Sequence, residues 1–227
     1  MVEDLPRGEL HSHTRASDGY PTPEEAVKLA RAKGLSVLSI TDHDTFRGSS
    51  LAMRIARILA PNVPIILPGI EVRTELGDIL VYCSEPHPSA PKDVESLREW
   101  ASENNCVMIA AHPFHPARHS LGKRIYDILD ILDGLEVWNS RGIPVFNYKA
   151  IKLGEELSGK VLTSGSDAHV PREYGVSPTI FLEPVESVED ALEAVRKGRV
   201  KPTLGVPGPI VMVQVMAWAV MKRLGLH

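Results

Sequence analysis

Residues 8–19 read GELHSHTRASDG and carry two histidines, His11 and His13, separated by a single serine. A short apolar approach precedes the pair, and an acidic turn at Asp18-Gly19 follows it. Alternate side chains of a β-strand point to the same face, so the two imidazoles project together at a spacing of about 7 Å. The pair predicts one edge of a metal site. The alternative is a polar strand end with two solvated histidines. For an isolated pair of this kind, that alternative would be favoured.

The composition is that of a soluble globular protein. The 227 residues are 43% hydrophobic and 24% charged, and the chain is long enough to bury a sizeable core in one domain. A formal net charge of −4 gives no support to an extended nucleic-acid-binding surface.

The cytoplasm is the expected compartment. The first ten residues, MVEDLPRGEL, lack the apolar region of a signal peptide. Cys83 and Cys106 form no metal-binding or redox motif, so we do not expect a disulfide scaffold, and a reducing environment fits the sequence.

Strand-like apolar runs alternate with helical patterns about seven times along the chain. The helix that starts at Thr22 has the signature of a capping box, with Pro23 at the first helical position and Glu25 three residues after the cap. Ser187 and Asp190 start a later helix in a similar way. The alternation predicts an α/β fold with a mainly parallel sheet, closed or distorted into a barrel. The predicted strands cover 35–40, 63–72, 77–83, 106–111, 134–139 and 160–169, and the predicted helices cover 22–34, 51–60, 93–105, 121–133, 145–159 and 187–198.

Histidines and carboxylates recur at the C-terminal ends of the predicted strands. In an α/β barrel these ends share one rim, where active sites are built. Several separate strand ends that each deliver such a residue favour a metal site over chance. The residues are His11, His13, Asp42, His43, Glu71, His112, Glu136, Asp167 and His169.

The chemistry of these side chains narrows the choice of metal and reaction. Nitrogen and oxygen ligands without thiolates suit Mn, Zn or Fe. Carboxylates bridge neighbouring ions, so several divalent ions can share the rim, polarise a phosphoryl oxygen and lower the pKa of a bridging water. We therefore expect a hydrolase whose nucleophile is a metal-bound hydroxide, with no need of a nucleophilic serine or cysteine.

Seven short motifs, in order, resemble those of the polymerase-and-histidinol-phosphatase (PHP) superfamily. The resemblance spans residues 8 to about 200 and implies a distorted seven-stranded (β/α)7 barrel of TIM-like type. It also implies two or three divalent ions at the C-terminal ends of the strands, and phosphoesterase activity. The motifs are HSH (11–13), SDG (17–19), TDHD (41–44), GIEV (69–72), AHP (111–113), EVWN (136–139) and SDAH (166–169).

The resemblance also implies a ligand set. His11, His13, Glu71 and Asp167 hold a first metal; Glu71 bridges to a second that His112 also binds; Asp18, His43 and His169 hold a third. The implied catalytic residues are His11, His13, Glu71, His112, Asp167 and His169, acting with the metal-bound hydroxide.

The chain departs from the family pattern in two places. Many relatives supply a further histidine or cysteine to the second metal near the strand after AHP, where this chain offers Glu136 and Asn139 as candidate ligands. Nucleotide-hydrolysing members carry a sizeable insertion between the GIE and AHP motifs, whereas 40 residues separate Glu71 from His112 here. The second departure leaves the substrate open.

Basic side chains near the strand ends favour an anionic substrate. Arg118 and Arg141 follow the AHP and EVWN motifs, and guanidinium groups match phosphate oxygens bidentately. The alternative is that each is a solvated loop residue. Asp42, beside His43, is a candidate to orient that imidazole.

The C-terminal stretch 209–221, PIVMVQVMAWAVM, is almost wholly apolar and precedes Lys222-Arg223. Its 13 residues fall short of the roughly 20 that a membrane-spanning helix needs. A helix that is apolar all round is usually buried. We therefore expect a catalytic barrel over 1–206 and a segment over 207–227 that packs on the barrel or on the partner of a homodimer.

Three classes of function fit these patterns. The leading one is a metal-dependent phosphoesterase acting on a small phosphomonoester or nucleotide, with histidinol phosphate as the next substrate. A second is a non-catalytic metal-binding PHP module that serves a partner protein. A third is a C–N hydrolase, because amidohydrolase barrels also begin with an HxH strand; those usually bridge their metals with a lysine, and the bridging position here carries Glu71.

Overall fold

The computed structural model describes residues 5–225, so residues 1–4 and 226–227 at the ends of the two predicted domains lie outside the described part. The described residues form ten strands in two five-stranded sheets. The strands are β1 (Arg7–Glu9), β2 (Val37–Leu38), β3 (Ile65–Ile66), β4 (Gly69–Arg73), β5 (Asp78–Cys83), β6 (Cys106–Ala110), β7 (Gly134–Asn139), β8 (Val161–Gly165), β9 (Thr179–Phe181) and β10 (Val200–Lys201).

Six α-helices and one 3₁₀-helix connect or cover the sheets within the described residues. The predicted helix at 121–133 is present only as the 3₁₀-helix, Gly122–Asp127. The α-helices are α1 (Pro23–Ala32), α2 (Arg47–Leu59), α3 (Val94–Glu103), α4 (Pro144–Glu156), α5 (Val188–Arg196) and α6 (Pro209–Arg223).

Both sheets mix parallel and antiparallel strands. Their orders are β10-β9-β1-β2-β3 and β4-β5-β6-β7-β8. In the second sheet, β5 runs antiparallel to both of its neighbours, β4 and β6, whereas β6, β7 and β8 run parallel to one another. The predicted α/β class is confirmed. The described residues form no closed barrel, however, and the seven-strand count is not confirmed, because strand direction leaves no trace in the hydrophobic pattern.

The two sheets meet at the end of the molecule that carries the predicted ligands. Ser12 forms a parallel bridge with Ala168, and His43 forms one with Glu71. The amide of His13 also donates a hydrogen bond to the carbonyl of Ala168 at 2.8 Å. Residues that follow β1, β2 and β8 are thereby brought next to β4.

Side-chain caps fix the starts of two helices as the sequence predicts. The amide of Glu25 donates to Oγ1 of Thr22 at 3.2 Å, and the Glu25 carboxylate accepts from the amide of Thr22 at 2.7 Å. This capping box is confirmed, as is the Ser187 cap, which accepts from the amide of Asp190 at 3.0 Å. Each cap satisfies amides that the first helical turn leaves unpaired.

The largest hydrophobic core lies between the second sheet and helices α3 and α4. Ile79 of β5, Leu97 of α3, Met108 of β6, Val137 of β7 and Leu153 of α4 belong to one buried cluster. Burying one such side chain stabilises a fold by about 1.5–3 kcal/mol. This core holds the strands whose ends carry the candidate ligands.

Cys83 and Cys106 form a disulfide, so the expectation of no disulfide scaffold was wrong for this pair. They are opposite residues in the antiparallel β5–β6 pair, with Cα atoms 4.1 Å apart. The pairing depends on this register, which the sequence does not reveal. The two cysteines therefore give no support to a reducing compartment. No helix within residues 5–225 is long and apolar enough to cross a membrane.

Helix α6 lies across the edge where the ligands gather. Its Lys222 ammonium is 2.8 Å from Oδ2 of Asp18, and its Trp218 ring packs edge-on against Tyr20. The side-chain oxygen of Gln214 accepts from the amide of Arg172 at 3.1 Å. The segment therefore packs on the rest of the chain, and the homodimer alternative stays a prediction.

Most of α6 is exposed, contrary to the expectation for a helix that is apolar all round. Val213 and Met216 are 67% and 66% exposed, whereas Trp218 is buried. The helix covers the end of a fold rather than entering its core, so only one face has a protein surface to pack against.

Candidate metal centre

Four predicted ligands converge on one point at the junction of the two sheets. Nε2 of His13 lies 3.2 Å from Oε2 of Glu71 and 3.3 Å from Oδ1 of Asp167. Nε2 of His11 faces the same two carboxylate oxygens at 3.4 and 3.7 Å. All four side chains are buried.

The facing atoms lack hydrogen-bond partners, although they are buried. These orphaned atoms include Nε2 of His11, both ring nitrogens of His13 and Oδ1 of Asp167. Buried polar atoms are normally satisfied, so a cluster of such atoms aimed at one another needs a further partner. Divalent cations bind imidazole nitrogens and carboxylate oxygens, and ions among these groups would supply the partners that the atoms lack. The residues therefore fit divalent metal ions.

Ligand atoms gather into several adjoining groups rather than one, and within each group they lie within 4.8 Å of one another. Every one of the eight predicted ligands belongs to at least one group, and His11, His13, Glu71 and His112 each belong to two. Shared ligands are the arrangement that allows neighbouring ions. The groups are His13-Asp18-His43-His169, His11-His13-Glu71, His11-His112-Asp167 and Glu71-Asp78-His112.

Asp78 is a candidate ligand that sequence reasoning missed. Its Oδ2 is 3.9 Å from Nε2 of His112, and its Oδ1 pairs with Nδ1 of His119 at 3.1 Å. Asp78 is the first residue of β5, whereas the predicted ligands were residues at the C-terminal ends of strands. Because β5 runs antiparallel to β4, its beginning lies opposite Arg73 at the end of β4. The Gly-Asp turn at 77–78 was the available signal.

Glu136 and Asn139, the remaining candidate ligands, lie behind the groups of converging atoms. Oε1 of Glu136 accepts from Nδ1 of His11 at 2.9 Å, and Oε2 accepts from the amide of His112 at 2.8 Å. The Asn139 amide donates to Glu136 at 3.0 Å and to Asp167 at 3.2 Å. A carboxylate only accepts, so Nδ1 of His11 donates this hydrogen bond, and Nε2 is the ring nitrogen that faces the cluster as a candidate metal ligand.

A glycine makes room for this arrangement. A Cβ atom at Gly165 would lie 2.5 Å from both Oε1 of Glu136 and Cβ of His11. Any other residue at the end of β8 would separate the carboxylate from the imidazole.

Asp42 holds the loop that carries Asp18. It accepts hydrogen bonds from the amide and hydroxyl of Thr14, each at 2.7 Å, and from the hydroxyl of Ser17 at 2.6 Å. The expectation that Asp42 would orient His43 is replaced by this role.

Two ligand residues have left-handed backbones, which are rare outside glycine. The φ angles are 28° at His112 and 50° at Asp167. Such conformations cost of order 1–3 kcal/mol each and persist where surrounding contacts enforce them. The amide of His112 is held by Glu136 at 2.8 Å, and the Asp167 carboxylate is held by Arg118 and Asn139. The strain thus aims both side chains into the cluster.

Burial and charge set the protonation of the histidines. Burial lowers the pKa of His43 to about 4 and, with the charge of His13, that of His169 to about 4. Both rings are therefore neutral at pH 7, the form that ligates a metal. Burial opposes the charge on His13 as well, but the facing carboxylates of Asp167 and Glu71 outweigh it and raise the pKa of His13 to about 9, so a metal ion that binds His13 displaces a proton.

A cavity of about 520 Å³ opens onto the ligands. Both predicted phosphate-binding arginines line it: Arg118 pairs with the Asp167 carboxylate, and Nε of Arg141 lies 3.0 Å from Oε1 of Glu173. Helix α6 contributes further positive charge. The other charged or ligand-type lining residues are Asp18, His43, Arg73, Asp78, His112, His119, His169, Lys222 and Arg223.

Comparisons with known proteins point to one family. Residues 144–200 match the family model described as PHP-associated. An uncharacterized protein of Methanocaldococcus jannaschii is 34% identical over 146 residues, which are 59% of this chain and 82% of that protein.

Named enzymes match shorter stretches. The 3′,5′-nucleoside bisphosphate phosphatase of Chromobacterium violaceum is 33% identical over 96 residues, 40% of this chain and 33% of that enzyme. Other matching relatives are named as 5′-3′ exoribonucleases and cover 29% of this chain. This chain therefore spans only a third or less of the length of these enzymes.

The fold is shared with a solved structure. A two-domain protein of Bacteroides vulgatus that contains a predicted PHP-like metal-dependent phosphoesterase superposes with a TM-score of 0.73 at 21% identity. The match covers 90% of this chain and 68% of that protein. Together with the ordered motifs and the buried cluster of histidines and carboxylates, these similarities establish that the chain belongs to the PHP superfamily of metal-dependent phosphoesterases.

Proposed function

We propose that this protein hydrolyses a small phosphomonoester or nucleotide at the junction of the two sheets. The observation that carries the proposal is the 520 Å³ cavity, in which guanidinium groups of Arg118 and Arg141 stand beside a cluster of orphaned metal-ligand atoms. Cations arranged around a concave site of this volume suit a small ligand that carries a phosphate group.

The ligand groups suggest how two or three divalent ions, Mn, Zn or Fe, would be held. The first ion would be bound by His11, His13, Glu71 and Asp167. The second would be bound by Glu71, Asp78 and His112. Asp18, His43 and His169, with His13, would bind the third. Such ions polarise a phosphoryl oxygen and lower the pKa of a bound water to about 7, so that it can act as a nucleophile at neutral pH.

The protein's own side chains position the reactants. Arg118 and Arg141 would hold the phosphate oxygens bidentately, because each guanidinium uses only part of its hydrogen-bonding capacity on its carboxylate partner. Glu136 keeps the Nδ1 proton of His11 in place, and Asn139 ties Glu136 to Asp167. His11, His13, Glu71, His112, Asp167 and His169 are the catalytic residues in this proposal.

Phosphate release in the presence of Mn²⁺ tests the proposal. The panel comprises mononucleotides, a 3′,5′-bisphosphonucleotide, histidinol phosphate, a generic phosphodiester and a 5′-phosphorylated oligonucleotide. Chelator-treated protein and His11→Ala serve as controls. We expect metal-dependent turnover of a small monoester or nucleotide that is lost in His11→Ala. If metal binds but nothing is hydrolysed, the non-catalytic module replaces this proposal; cleavage of the oligonucleotide alone rejects the small substrate.

A further inference from the structure

A second cavity adjoins the one over the metal ligands. It has a volume of about 560 Å³ and shares Ala117, Arg118 and Arg141 with the first cavity. Both volumes are in the range of small-molecule sites. The two arginines therefore stand at the junction between the cavity over the candidate metal ligands and a separate one.

The walls of the second cavity are mainly apolar. Trp138 comes from β7, Ile143 and Pro144 from the start of α4, and Met212 and Val215 from α6. Apolar walls recognise a ligand by the apolar surface that it buries, at about 25 cal/mol per Å².

Three polar side chains in these walls, those of Trp138, Ser140 and Asn147, already have partners in the protein. The indole nitrogen of Trp138 donates to the carbonyl of Gly205 at 2.7 Å, and the Ser140 hydroxyl donates to the carbonyl of Ser166 at 3.0 Å. Asn147 uses both ends of its amide on the main chain of Asn139. A ligand hydroxyl that lies against these side chains would lose its bonds to water without replacing them, which costs about 1–3 kcal/mol for each group.

We propose that this second cavity binds the alcohol portion of the substrate, and that the substrate is a phosphate ester of an aromatic or similarly apolar, ring-bearing alcohol. The inference rests on the proposed function, which places the phosphate at Arg118 and Arg141. Since these arginines border both cavities, a phosphate held there directs its ester group into the apolar compartment. An apolar ring is favoured over a free sugar or histidinol.

Helix α6 determines this selectivity, because it forms one wall of the cavity. Val215 faces the cavity, whereas Val213, two positions earlier on the same helix, is 67% exposed and lies outside it. The two valines offer a matched pair of sites. Val215→Trp fills the compartment, and Val213→Trp adds the same side chain on the outer surface. Ile143→Asp changes the opposite wall, at a residue that is half exposed and so tolerates a charge.

Two readouts test the inference on the full chain loaded with Mn²⁺. Calorimetry compares the affinities of naphthylmethylphosphonate and methylphosphonate, which are not hydrolysed. Kinetics compares kcat/KM for 1-naphthyl phosphate with that for glycerol 2-phosphate. We expect wild-type protein to prefer the naphthyl member of each pair, and the preference to fall at least about tenfold in Val215→Trp and Ile143→Asp but not in Val213→Trp, a loss of about 1.4 kcal/mol in differential binding.

The outcomes separate the two proposals. Equal affinity for the two phosphonates in wild-type protein, or an equal loss of preference in Val213→Trp, overturns the cavity assignment even if phosphate is released. Absence of all hydrolysis, together with naphthyl binding that depends on Val215, rejects the phosphoesterase proposal and supports the cavity assignment as a binding site.

Discussion

The ammonium nitrogen of Lys222 lies 2.8 Å from Oδ2 of Asp18, while Oδ1 of Asp18 faces Nε2 of His169 at 3.2 Å. One carboxylate thus connects the C-terminal helix to the candidate metal centre. Lys222 also lines the cavity that holds Arg118 and Arg141, so its charge is available to a bound phosphate.

We predict that Lys222→Met raises KM for the phosphate substrate about tenfold, because a charge-assisted hydrogen bond contributes about 1.5–3 kcal/mol. Steady-state kinetics and competition by inorganic phosphate measure the effect. Lys28→Met is the matched control, since Lys28 pairs with Glu24 on exposed α1. An unchanged KM and unchanged phosphate inhibition in Lys222→Met would show that Lys222 does not contribute to phosphate binding.

Asp78→Asn should lower the bound metal by about one equivalent and reduce kcat, because the amide is a weaker ligand than the carboxylate beside Glu71 and His112. Metal content after gel filtration, measured by plasma mass spectrometry, checks the prediction. Asp130→Asn, at an exposed position, controls for the lost charge. Full metal content in Asp78→Asn would leave Asp78 as a partner of His119 only.

Much of the candidate site could be predicted from the sequence, because residue type and strand position carry the information. His11, His112 and Asp167 each lie two residues past the end of a strand, and a barrel-like α/β fold brings such ends together. The capping box at Thr22 was equally visible, since its hydrogen bonds involve residues three apart.

The features that were missed depend on how distant segments pair. Asp78 joins the site only because β5 is antiparallel, and Cys83 meets Cys106 only through the β5–β6 register. The position of α6 is set by single contacts such as Lys222 with Asp18, and an evenly apolar helix gives no preferred face to predict from. Glu136 was recognised by residue type, but its place behind His11 required the structure.

Glu136→Gln should weaken metal binding about 10–100-fold without unfolding the protein, because it loosens the orientation of His11. Titration calorimetry with Mn²⁺ measures the affinity, and circular dichroism checks the fold. Glu155→Gln, at an exposed position of α4, is the control. Rescue of activity by excess metal distinguishes positioning from direct catalysis, and wild-type affinity in Glu136→Gln would contradict the assigned role.

The capping box predicts a pH-dependent contribution to stability. Hydrogen bonds from the amide and hydroxyl of Thr22 hold the pKa of Glu25 below its usual value of 4.5. A depressed carboxyl pKa stabilises the fold above the unfolded pKa, and this contribution is lost as the pH falls through the folded pKa. The free energy of unfolding of wild-type protein should therefore exceed that of Glu25→Gln at about pH 7, and the difference should shrink towards about pH 3.5.

Urea denaturation at the two pH values measures this difference, and subtracting the variant from wild type removes the titration of the metal site. Glu24→Gln, next to Glu25 in the same helical turn, controls for the lost charge. A stability difference that stays constant with pH would show that the Glu25 carboxylate is not held by the cap.

Glu71 offers the most direct test of the metal-dependent phosphoesterase, because its carboxylate lies within 3.4 Å of ring nitrogens of His11, His13, His43 and His112. The measurement is phosphate release during titration of metal into chelator-treated protein, with bound metal determined at each point, for wild type, Glu71→Gln and the exposed control Glu99→Gln. We predict that turnover rises with metal occupancy in wild type and Glu99→Gln, and that Glu71→Gln loses both metal binding and turnover. Full turnover in metal-free protein, or in Glu71→Gln, would contradict the account.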